Sequence, residues 1–150
     1  MTRETLAAED AEDLAIVSAR LQDAVARVKD LVWLPKSHRF AALFNRFKWE
    51  TASPKRGKGT ALRVRCGLHF DGVKSVKASN LRREDPNAVV SLLAIKFTAR
   101  AAEDPGGFVD LLFSGGGTIR LDVEYIEAET SDLSGEWAAR GRPAHSLDES

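Results

Sequence analysis

Residues Leu62–Val73 read LRVRCGLHFDGV, and this stretch decides the fold class. Leu62, Val64, Cys66, Leu68 and Phe70 alternate with Arg63, Arg65, Gly67 and His69. A period of two sends alternate side chains to opposite faces of a pleated strand, so this strand has one apolar and one basic face. Asp71-Gly72 follows at once and predicts a type I′ hairpin turn, which needs positive φ at both central residues. Val73 to Leu81 is then the partner strand.

Upstream, Val25 to Leu34 is rich in β-branched and aromatic residues and stops at Pro35, which predicts a strand. Pro35-Lys36-Ser37-His38 turns the chain, and Arg39–Glu50 (RFAALFNRFKWE) returns it as the second arm of a hairpin. Phe40 and Phe44 share one parity while Phe47 and Trp49 share the other, so the inward face is expected to switch at a β-bulge near Asn45. Phe40, Phe44 and Phe47 fit helical spacing as well. Thr51 to Thr60 (TASPKRGKGT) carries no hydrophobic pattern and reads as a mobile loop. Nearer the N-terminus, Asp10 precedes Leu14, Val17 and Leu21, with Asp13 as a carboxylate variant of the capping box. That pattern predicts an amphipathic helix from about 10 to 22 that covers a face or an end of the sheet.

Downstream, Ala88–Ala99 (AVVSLLAIKFTA) is apolar on both parities, as expected of a central strand covered on both sides, with a short helix as the alternative. Asp104-Pro105-Gly106-Gly107 turns the chain into a strand from Phe108 to Phe113, and Ser114–Gly117 (SGGG) is a tight connection. Ile119, Leu121, Val123 and Tyr125 then alternate with Arg120, Asp122 and Glu124 as a well-marked strand. Glu127 to Ser150 lose periodicity, with Leu133 and Trp137 expected to dock on the body and 141–150 expected to be a flexible tail. The sum is a single α+β domain over residues 1–140, mainly antiparallel. Its N-terminal helix packs on a meander of about seven strands that forms a curved sheet or small barrel. A pleckstrin-homology-like roll is the alternative, and it requires a C-terminal helix.

A chain of 150 residues suits one domain, and 43% hydrophobic with 29% charged residues excludes collagen-like, disulfide-scaffold and wholly disordered classes. Cys66 is the lone cysteine, and the acidic N-terminal residues do not match a secretory signal, so a cytoplasmic protein is expected. No apolar run approaches the ~20 residues that span a bilayer. The expected state is a monomer or a homodimer through paired sheet edges. The formal charge is zero, yet its signs are segregated. Residues 1–26 hold two basic and six acidic groups, residues 27–85 fifteen against five, and residues 86–150 five against eleven. Such a distribution makes a bipolar surface unless the segments interleave in space.

No chemical constellation accompanies the scaffold. His38, His69 and His145 lack zinc-ligand spacing, so neither metal nor cofactor is expected. Cys66 shares the apolar parity of its strand and reads as a small buried hydrophobe. The SGGG run lacks the Lys-Ser/Thr of a phosphate loop, and no G-x-S-x-G elbow occurs. The carboxylates Asp122, Glu124, Glu127 and Glu129 read as a solvated face, which leaves His69 with Asp71 as the one enzymatic candidate. The expectation is therefore a non-catalytic binding or adaptor module for a protein or an anionic ligand. A nucleic-acid-binding protein using the basic, aromatic-rich stretch 36–65 is the alternative. The candidate binding residues are Lys36, Arg39, Arg46, Lys48, Trp49, Lys55, Arg56, Lys58, Arg63 and Arg65.

Three segments carry a family resemblance: DAEDLAIVSARLQDAVARVKDLVWLPKSHRFAALFNRFKWE from Asp10, Leu62 to Leu68, and GGGTIRLDVEYIEAETSDLSGEW from Gly115. They resemble an uncharacterised alphaproteobacterial family, domain of unknown function 2948, from about Ala8 to Pro143. The resemblance implies a small, cytoplasmic, single-domain bacterial protein and assigns no catalytic residue.

Overall fold

The computed structural model describes residues 5–50, 60–133 and 137–138. The helix α1 (Ala11–Leu21) begins at the cap that the sequence marks. Asp10 is extended, and its Oδ1 accepts a hydrogen bond from the Asp13 N–H at 2.8 Å. Leu14, Val17 and Leu21 form the buried stripe. The strands are β1 (Thr5–Ala8), β2 (Val25–Arg27), β3 (Leu31–Leu34), β4 (Arg39–Glu50), β5 (Thr60–Phe70), β6 (Val73–Ser79), β7 (Val89–Ala99), β8 (Gly107–Phe113), β9 (Thr118–Val123), β10 (Ala128–Asp132) and β11 (Trp137–Ala138). Every pairing is antiparallel, in the order β1-β10-β5-β4-β2-β7-β8-β9-β6, with β3 beside β4 and β11 beside β5. The fold is α+β, with α1 laid on β7 and β1. The end strands β1 and β6 do not pair with each other, so the sheet is curved and unclosed rather than a barrel. Among the described residues no helix follows β10, and residues 139–150, where a pleckstrin-homology-like roll would place its C-terminal helix, lie outside them.

Five local expectations are corrected, each for a backbone reason. Asp71-Gly72 does not close a hairpin, since β5 pairs with β4 and β10 while β6 pairs with β9. Only Gly72 has positive φ, at 70°. The Asp71 N–H donates to the Glu127 carbonyl and the Glu124 N–H donates to the Gly72 carbonyl, both at 2.9 Å. The segment between β9 and β10 thus clamps the turn, which hands the chain from one half of the sheet to the other.

The bulge expected near Asn45 is absent as well. The β4–β5 ladder runs unbroken from Phe40 opposite Phe70 to Glu50 opposite Thr60. Phe40, Ala42 and Phe44 are buried, whereas Phe47 is 46% exposed. The irregularity lies on the other neighbour of β4. Val25 sits opposite Asn45 and Leu31 opposite Ala42, so the intervening Val28–Asp30 exceed what β4 can pair and coil into a 3₁₀ turn. The strand expected over Val25 to Leu34 is therefore two strands.

A bulge does occur in β7, between Leu92 and Ala94, and it explains apolar residues on both parities. Leu92 and Ile95 are both buried while Leu93 is 47% exposed, so β7 is not covered on both faces. The Ile95 N–H donates to Ser18 Oγ on α1 at 2.9 Å. Finally, residues after Glu127 do form a strand. In β10, Ala128 and Thr130 are buried, and the Thr130 hydroxyl donates to the Gly67 carbonyl at 2.8 Å. Its small side chains give little hydrophobic period, and the same holds for β1. The expected mobile loop at 51–60 and tail at 141–150 lie, apart from Thr60, outside the described residues.

Asp10→Ala removes the α1 cap and should lower stability by about 1 kcal/mol, or ~2–4 °C in Tm, with an unchanged far-ultraviolet dichroism spectrum. An unshifted thermal melt would show that the cap contributes nothing.

Candidate functional site

The parity that buries Phe40 and Phe44 sends Leu43, Asn45 and Phe47 of β4, with Arg63 and Arg65 of β5, to the opposite face. Beside them, β2 contributes Val25 and Arg27, the 3₁₀ turn contributes Lys29 and Asp30, and β7 contributes Val89. Together these residues line a cleft of about 400 Å³. Four cations face one carboxylate there. The Arg63 guanidinium lies 5.7 Å from the Phe47 ring centroid, a cation–π contact. Among the described residues, Arg27, Lys29, Arg63 and Arg65 form no ion pair.

Asn45 and Arg65 face each other in register, and both line the cleft. Asn45 Oδ1 and Arg65 Nε are closed off from solvent and have no hydrogen-bond partner. Leaving such an atom unpaired costs about 1–3 kcal/mol. A second cleft of about 280 Å³ adjoins the first, sharing Asp30 and Leu43 and adding Val32, Ala41, Leu133, Arg39 and His69. A Cβ on Gly67 would stand 3.3 Å from Leu133 Cδ1, so glycine at this position lets Leu133 lie across the sheet. Leu133 thus docks on the body, as its apolar side chain suggests.

The candidate binding residues do not stay together. Arg63 and Arg65 are in the cleft, joined by Arg27 and Lys29, which the sequence reading does not single out. Arg39 is turned to the second cleft and held by Asp71, Nε to Oδ1 at 2.8 Å, and this hydrogen bond raises its pKa. Arg46 has the inward parity. Its Nη2 lies 3.3 Å from Asp132 Oδ2, where only about a tenth of the side chain is exposed. Lys36 sits in the 3₁₀ turn Pro35–Ser37 that joins β3 to β4, away from the cleft. Lys48 and Trp49 belong to β4 opposite Leu62 and Ala61. Lys55, Arg56 and Lys58 lie outside the described residues.

The enzymatic candidate belongs to a polar cluster shared with Arg39 and Glu129. His69 Nδ1 is 3.3 Å from Asp71 Oδ2, and its Nε2 is 3.3 Å from Glu129 Oε1, while Arg39 occupies the same Asp71 carboxylate. Among the described residues no group of three or more His, Cys, Asp or Glu side chains is arranged to hold a metal ion. Ser114–Gly117 is the tight connection of the β8–β9 hairpin, where Gly115 and Gly116 take left-handed φ values of 82° and 90°. No helix among the described residues is long and apolar enough to cross a membrane.

Cys66 is fully buried and lies 3.3 Å from Asp132 Oδ1. Burial first, and the hydrogen bond to Asp132 second, push its thiol up to about 11 against the lowering pull of Arg46. In the unfolded chain the thiol ionises nearer its ordinary value, so the stability linked to its protonation is complete below that value and lost as pH rises toward about 11. The linked amount is of order 2–3 kcal/mol. Denaturant titrations from about pH 8 to about pH 11 should therefore show a steeper loss for the native protein than for Cys66→Ala. Parallel losses would contradict this environment for the thiol.

No curated protein and no solved structure matches the chain at significance. The family model described as Protein of unknown function (DUF2948) matches residues 5–145, nearly the whole chain, and the protein belongs to that family.

Proposed function

We propose that the protein is a non-catalytic binding module that holds an anionic ligand in the cleft between β2, β4 and β5. One contrast carries the reading. Four arginines elsewhere are neutralised, Arg39 by Asp71, Arg46 by Asp132, Arg100 by Asp104 and Asp122, and Arg120 by Asp110, whereas the exposed Arg82 and Arg83 lie in the β6–β7 loop, outside the cleft. In the cleft, Arg27, Lys29, Arg63 and Arg65 converge, and among the described lining residues Asp30 alone opposes them. Crowding like charges costs energy that an incoming anion repays, and guanidinium forks match the oxygens of phosphate or carboxylate. The walls of Val25, Leu43, Phe47 and Val89 lower the local dielectric and strengthen that attraction. A volume of about 400 Å³ suits a small molecule or one group of a larger partner. A reducing cytoplasm suits the free, buried Cys66 thiol.

Calorimetric titration with inorganic pyrophosphate tests the reading. Binding should weaken with added salt, and Arg63→Gln and Arg65→Gln should each weaken it about tenfold, or ~1.4 kcal/mol. Lys74→Gln on the edge strand β6 should have no effect. Equal loss in the β6 variant, or no binding at low salt, would sink the proposal.

A further inference from the structure

We infer that the anion held by this cleft is a nucleotide unit, a phosphate joined to a planar base. It is supplied either by an exposed single strand or as a free mononucleotide. The inference rests on the anion-binding reading above and adds the base to it. Three features of the cleft select a planar, hydrogen-bonding group over a bare anion.

Phe47 stands on the solvent face of the sheet with nearly half its surface open, and with the exposed Val89 it gives the cleft an apolar edge. Arg63 already stacks against it at 5.7 Å, and an aromatic beside a guanidinium is the platform on which sheet proteins stack unpaired bases. Next, Asn45 Oδ1 is an acceptor and Arg65 Nε a donor, and the two residues are neighbours in register with neither atom paired. A base edge presents a donor beside an acceptor and satisfies both. Inorganic phosphate offers chiefly acceptors and leaves Asn45 unmet. Both atoms lie beneath the accessible surface, so engagement includes a rotamer change of Arg65. Lastly, the sheet order β5-β4-β2 puts Arg27 and Lys29 across β4 from Arg63 and Arg65. The phosphate has a cationic rim on the β2 side while the base lies toward Phe47.

The test uses the full chain and a fluorescent single-stranded oligonucleotide of about eight nucleotides, within the site size of sheet-based binders. Its displacement is followed with adenosine monophosphate, uridine monophosphate, inorganic phosphate and a duplex of the same sequence. A mononucleotide should compete about tenfold better than inorganic phosphate, a step of ~1.4 kcal/mol. The duplex, whose bases stay stacked inside, should compete less well than the single strand. Phe47→Ala, at an exposed site and with an unchanged melt as the folding check, should bring mononucleotide and inorganic phosphate to equal potency, a ratio that a general weakening of the anion site would not change. Phe47→Trp should restore the gain. A strand that binds far more tightly than any mononucleotide identifies the single strand as the source, and comparable affinities identify the free nucleotide. Nucleotides no better than inorganic phosphate, a duplex equal to the single strand, or a preference that survives Phe47→Ala would each overturn the inference and leave the anion site standing. If pyrophosphate and nucleotides alike fail to bind, the anion reading itself falls.

Discussion

The register between β4 and β5 is the constraint on which the rest of the molecule depends. Their ladder is long and unbroken, and each strand alternates strictly. Phe40, Ala42, Phe44, Val64, Cys66, Leu68 and Phe70 are all buried by this pairing. A slip of one residue on β5 would bring Arg63, Arg65 and His69 into the core and turn the apolar set out to water. Burying unpaired guanidinium groups is far costlier than any gain such a slip offers. The register is consequently fixed by the same alternation that builds the outer cleft, so core and site are two faces of one ladder.

Charge follows the same geometry. The sequence concentrates its basic residues in the middle third and its acidic residues at the ends, and the topology brings part of the two together by inserting β10 beside β5. Glu129 and Asp132 on β10, with Asp71 at the turn, meet His69, Arg46 and Arg39. The Arg46–Asp132 pair stands on the inward face next to Cys66. Removing Asp132 takes the carboxylate from a largely buried guanidinium, and removing Arg46 takes the guanidinium from a largely buried carboxylate, changes that ordinarily cost several kcal/mol. Cations near β2 and at the far end of β5 receive no such partner. Among the described residues of the basic segment, Arg27, Lys29, Arg63 and Arg65 gather without such partners at one cleft, while Lys36, Lys74, Lys77, Arg82 and Arg83 stand outside it.

The legible parts of the sequence are those where one local rule acts alone. Asp10 and the Leu14, Val17, Leu21 stripe place α1, and the alternation from Leu62 to Phe70 places Arg63 and Arg65 on the solvent face. Asp71-Gly72 misleads because its turn is set by bonds to Gly72, Glu124 and Glu127, which no local rule contains. The parity switch assigned to β4 belongs to β7, since a hydrophobic pattern reveals a bulge only where the residues on both sides are apolar and buried. Phe47 is apolar without being buried. Arg27 and Lys29 escape notice because their place in the cleft depends on the 3₁₀ turn Val28–Asp30, which exists only as a mismatch with β4. The residues of β1 and β10 carry small side chains whose burial comes from pairing, not from hydrophobic period.

In the proposed function the protein binds through the face opposite the core of the β4–β5 ladder. Mapping amide chemical-shift changes in the isotope-labelled protein during titration with inorganic pyrophosphate tests it most directly. The shifts should gather at Arg27, Lys29, Asn45, Phe47, Arg63 and Arg65. Shifts centred on Lys74 and Lys77 of β6, or scattered evenly over all exposed cations, would contradict it.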